Sequence, residues 1–89
     1  MVEFRWNAWN LDHVGEHGIG PSEAEYVVTR AQPPFPEKSG PGKYIVKGQT
    51  DSGRYIQVVF VLDPDGTLYV IHSRPLDDQE KRRLCRRRR

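Results

Sequence analysis

Val2, Phe4 and Trp6 alternate with Glu3 and Arg5 at the start of the chain, the two-residue period of a half-buried strand. Asn7 then supplies the side chain of a helix N-cap, and Trp6 and Leu11 stand at the spacing of a hydrophobic staple. A helix is predicted from residue 8 to about residue 17, closed by Gly18, because glycine readily takes the left-handed conformation that ends helices. Gly20-Pro21 followed by Glu23 opens a second helix: proline suits the first turn, and a carboxylate there complements the helix dipole. Ala24, Val27, Val28 and Ala31 recur at i, i+3, i+4 and i+7, an apolar face that predicts packing on a sheet. Residues 32–42 are so rich in proline and glycine that a long loop without regular structure is expected. Strand-like blocks follow at 43–48, 54–62 and 67–73, separated by the turn sequences Asp51-Ser52-Gly53 and Asp63-Pro64-Asp65-Gly66. They predict an antiparallel meander whose middle strand, nearly continuous in apolar residues, is covered on both faces. Asp77 and Glu80 have the spacing of a capping box and open a C-terminal helix. The expected architecture is one α+β domain over residues 1–89, in the order β-α-α-β-β-β-α, with helices packed on an antiparallel sheet.

Composition narrows the function classes. With 36% hydrophobic and 29% charged residues the chain is polar, yet its apolar residues are gathered in blocks, so folding rather than disorder is expected. A domain of 89 residues is too small to enclose a deep pocket. The single cysteine, Cys85, permits no intrachain disulfide and suits a reducing cytoplasm. Neither a leader pattern nor an apolar run near the roughly 18 residues of a membrane span occurs, so a soluble cytoplasmic protein without membrane contact is expected. The net charge of +2 conceals an asymmetry: residues 81–89 hold seven basic side chains, whereas residues 1–80 carry seven basic against twelve acidic, a net of −5. Such a basic tail suits a polyanion or an acidic protein partner, or simply a solvated helix end.

Several chemistries lack their motifs. His13 and His17 are i, i+4 neighbours, but the glutamate of a zinc-protease helix is absent, and so are phosphate-cradling glycine loops and a Gly-x-Ser-x-Gly elbow. No metal or cofactor is expected. Strict alternation places Leu68, Val70, His72 and Arg74 on one face of the last strand, so an imidazole and a guanidinium emerge together at its end. That pairing suits a phosphodiester: cleaving RNA through its 2′-hydroxyl needs a base, an acid and fixed positive charge on the phosphorane. Lys43 can add charge from across the sheet. Each candidate also has a structural alternative: an ion pair with Asp77 or Asp78 for Arg74, a satisfied sheet-face position for His72, and bonding to the last helix carbonyls for His17. Asn10, His13 and His17 form a polar stripe on the first helix. Trp6 and Trp9 are expected in the core, although aromatic side chains also stack on unpaired bases.

These residues resemble a family. Phe4-Arg5-Trp6-Asn7, Asn10 with His13, Glu16-His17-Gly18-Ile19 and Pro21-Ser22-Glu23-Ala24-Glu25 look like the N-terminal signature of the BrnT toxins. Lys43 to Thr50, the Gly53-Arg54 turn, Val58-Val59-Phe60, and Val70 to Pro75 followed by Glu80, Lys81 and Arg82 continue the likeness in order. The resemblance implies a RelE-like ribonuclease fold, RNA cleavage that inhibits translation, and neutralisation by a BrnA-type antitoxin. It also implies that operator DNA is bound only through the antitoxin complex. Arg74 is the best-matched catalytic position, followed by His17, with His72 and Lys43 completing the expected catalytic set and Lys47, Arg54, Arg82 and Arg83 the expected RNA-binding cations. Two departures stand out: Lys43 replaces a usual arginine and loses the bidentate fork, and His72 replaces a usual small residue. They keep open the alternative of a non-catalytic interaction or nucleic-acid-binding protein that retains the toxin fold.

Overall fold

The structure, a computed structural model, describes residues 2–87; Arg88 and Arg89 of the expected basic tail lie outside the described residues. After β1 (Phe4–Arg5), Asn7 caps α1 (Ala8–Gly15) by accepting the Asn10 N–H, while the Asn10 side chain accepts the Asn7 N–H. The helix stops two residues short of the expected His17, and Gly18 takes its positive φ of 74° in the turn beyond. In place of a Trp6–Leu11 staple, Trp6 donates its indole N–H to Glu25 and Leu11 stays 44% exposed. α2 (Pro21–Thr29) starts with proline in its first turn, and Glu23 accepts the Gly20 N–H.

The proline-rich segment is more ordered than its composition implies. Phe35 is buried in the core, and the chain then forms β2 (Glu37–Lys38) against Ile45 and Tyr44 of β3 (Lys43–Gln49). Prolines forbid the strand only where they stand, and 37–38 contain none. β4 (Tyr55–Leu62) and β5 (Leu68–Pro75) complete the meander, and α3 (Asp78–Arg87) follows the Asp77–Glu80 capping box, with both reciprocal bonds formed at 3.0 and 2.8 Å.

The five-stranded sheet has the order β1-β5-β4-β3-β2 and is mixed rather than antiparallel. β1 lies parallel to β5, pairing Phe4 with Leu68 and Arg5 with Tyr69. Tight turns dictate the antiparallel pairs, but β1 has no such turn to its neighbour, so its direction follows from where α1 folds back. α1 and α2 cover one face. Val14, Ile19, Ala24 and Val27 meet Val46, Ile56, Val58, Phe60 and Val70 there in one core cluster. Gly48 admits α2 closely, since a Cβ at that position would stand 3.1 Å from Val27. The central strand β4 is covered throughout on this face and only in part on the other, where α3 reaches over one end: there Val59 is buried while Tyr55, Gln57 and Val61 are half-exposed.

Candidate functional site

A bulge in β5 decides which side chains share the open face. Phe60 pairs with Val70 but Val59 pairs with His72, so Ile71 is an extra residue and the alternation shifts by one. Val70 and Ser73 consequently face the helices, where the Ser73 hydroxyl donates to the Val14 carbonyl at 3.1 Å. His72 and Arg74 turn to the opposite face. The expected grouping of His72 and Arg74 is therefore kept, but not with Leu68 and Val70, because a bulge breaks strict alternation without any mark in the residues themselves. Three cross-strand rows span β3, β4 and β5 on the open face: Lys43–Val61–Tyr69, Ile45–Val59–His72 and Lys47–Gln57–Arg74.

The third row is closed by α3. Glu80 receives the Arg74 fork in two bonds of 2.8 Å, Lys47 approaches the same carboxylate at 3.5 Å, and Arg74 also donates to Gln57 at 3.3 Å and to the Pro75 carbonyl at 3.1 Å. Four of the guanidinium's five N–H groups thus have acceptors. Its partner is Glu80 rather than Asp77 or Asp78. The hydrogen bonds from Arg74 hold the Glu80 carboxyl down at about 2, with the Asp77 N–H and the nearby Lys47 adding to the effect against the opposing pull of burial. The same pair raises the Arg74 guanidinium above its ordinary value. Glu80 was legible in the sequence as a helix cap alone; the cap and the ion pair use one carboxylate.

His17 lies past the end of α1, where its ring meets that of His72 edge-on at 5.9 Å between centroids. Two imidazoles from segments 55 residues apart in sequence are so brought together next to the Arg74 row. The first-helix stripe does not hold as one surface. Asn10 is buried and donates to the Arg5 carbonyl, and His13 stacks on Trp9 at 3.8 Å. Trp6 is half-buried against the core, whereas Trp9 is 49% exposed and so departs from the expected core position.

The expected cations divide. Lys43 is exposed at the far end of the first row, two strand spacings or roughly 10 Å from β5. Arg54 reaches away from this face to the Gly18 carbonyl at 3.0 Å and to Glu23 at 3.4 Å, tying the β3–β4 turn to the α1–α2 turn. Arg83 lines a recess with Lys47 and Glu80, while Arg82 borders a separate groove with Tyr55 and Cys85. Among the described residues no cluster of three or more His, Cys, Asp or Glu side chains is placed to hold a metal ion, and no helix is long and apolar enough to cross a membrane.

No protein-family model matches the chain, and neither does a curated protein or a solved structure. The BrnT likeness accordingly rests on the residues that carry it.

Proposed function

We propose that this chain is a metal-independent endoribonuclease, the toxin of a BrnT-like toxin–antitoxin pair, which cuts RNA to inhibit translation and is neutralised by a BrnA-type antitoxin. The observation that carries the reading is the approach of His17 and His72 beside a row holding Arg74 and Lys47. One ring, acting as base, takes the proton of a ribose 2′-hydroxyl as that oxygen bonds to phosphorus. The other, protonated, gives its proton to the departing 5′-oxygen as the P–O5′ bond breaks. The products are a 2′,3′-cyclic phosphate and a 5′-hydroxyl. Arg74 and Lys47 place fixed positive charge where the phosphorane develops, and Glu80 holds both in position.

A second reading has a specific observation in its favour: the two 2.8 Å bonds to Glu80 occupy the fork that would otherwise grip a phosphate. On that reading the protein binds RNA or a partner without cutting. Purified protein incubated with end-labelled RNA in excess EDTA separates the two, read together with growth on inducible expression with and without the adjacent gene. The ribonuclease reading expects cyclic-phosphate products, growth arrest, and relief by the neighbour. Intact RNA and unimpaired growth with soluble protein present would refute it.

A further inference from the structure

A row of planar side chains stands at the edge of the open face, and the proton-transfer and charge groups do not use it. Trp9, in the first turn of α1, stacks with His13 at 3.8 Å and 24° and with Tyr69 at 6.1 Å and 20°. The Arg5 guanidinium carbon lies 3.8 Å over the Tyr69 ring. Three of the four are held by hydrogen bonds, and Trp9 is held by its ring contacts with His13 and Tyr69. Arg5 makes two bonds to Asp63 at 2.9 and 3.1 Å, Tyr69 donates to Asn7 at 3.2 Å, and the His13 Nδ1 sits 2.8 Å from the Trp9 carbonyl, which can only accept. The planes are thus set before any ligand arrives, while Trp9 remains 49% exposed. Trp6 shows the contrast: it packs on the core and its N–H is paired.

We propose that Trp9, stacked on His13 and flanked by Tyr69, is a stacking platform whose exposed part takes an unpaired RNA base and feeds the adjoining phosphate toward His72 and Arg74. The proposal rests on reading the chain as a protein that acts on RNA. Aromatic platforms suit single strands because every base has a π-face, and prealigned rings lower the ordering cost of a planar ligand. Register supplies the connection. Tyr69 lies in the row next to that of His72, and with Ile71 bulged out the two are about two strand steps apart, roughly 7 Å.

The test uses the full chain and a short single-stranded RNA with 2′-O-methyl riboses throughout, which cannot be cut, with binding read by fluorescence anisotropy. Trp9→Ala should weaken binding about 5- to 150-fold, the range of one stacked base, and Trp9→Phe should restore most of it. A strand made abasic at one position should lose affinity for the wild type but not for Trp9→Ala. The slope of affinity against salt should be the same in both proteins, because stacking releases no counterions. Unchanged binding in Trp9→Ala, losses that multiply between the variant and the abasic strand, or no binding by the wild type would overturn the proposal. A changed oligomeric mass of Trp9→Ala with unchanged RNA affinity would overturn it too, in favour of contact with a second copy. Cleavage of unprotected RNA separates this proposal from the ribonuclease reading. Binding through Trp9 without cleavage leaves the platform and removes the nuclease; cleavage and binding equal in both proteins do the reverse.

Discussion

Replacing Glu80 by glutamine isolates one carboxylate's charge from its shape. Glutamine can still accept the Asp77 N–H that closes the α3 capping box and one bond from Arg74, so what it removes is the negative charge and the second arm of the 2.8 Å pair. Exposed ion pairs contribute at most about 1 kcal/mol, and stranding a fully buried charge costs about 3–5 kcal/mol. With side chains 13% exposed for Glu80 and 34% for Arg74, this pair lies between those limits. A fall from the ordinary 4.5 to about 2 caps the linked stabilisation at about 3 kcal/mol, and solvent around Arg74 screens it to about 1–2 kcal/mol. Because the carboxyl is depressed in the folded state, its contribution is complete above about 4.5 and drains away as pH falls through about 2. Urea titrations followed by circular dichroism should therefore show Glu80→Gln about 1–2 kcal/mol less stable at pH 7, with an unchanged m-value, and less than half that difference at pH 3. A difference that is absent at pH 7, or as large at pH 3, would refute the electrostatic account of this cluster.

On the ribonuclease reading, Arg74→Ala should lower cleavage about 10²- to 10³-fold, and Arg74→Lys should not restore it, since a point charge cannot reproduce the fork; single-turnover rates near the wild type would remove Arg74 from the mechanism. His17→Ala and His72→Ala should each flatten one limb of the pH–rate profile, and two unchanged profiles would dismiss the imidazole pair. Ser73→Ala strips the buried Val14 carbonyl of its donor and should cost about 1–3 kcal/mol in thermal or urea unfolding, whereas an unchanged transition would show that the carbonyl finds another partner.

Local chemistry was legible wherever it acts over a few residues. The Asn7 and Asp77 caps, proline in the first turn of α2, its Ala24–Val27–Val28 face and the turns that fold β3, β4 and β5 into a meander were all readable, because each depends on spacing along one segment. The single α+β architecture follows from them. The parallel placement of β1, the short β2 and the bulge at Ile71 were not readable, since each is set by what packs against the strand. The same limit governs the candidate site. His72 and Arg74 could be grouped from sequence, but their face could not, and neither could the meeting of His17 with His72, the closure of Arg74 by Glu80 or the exposure of Trp9. Those depend on distances between segments far apart in the chain, which spacing leaves open and which only the packing of α1 and α3 around the meander sets.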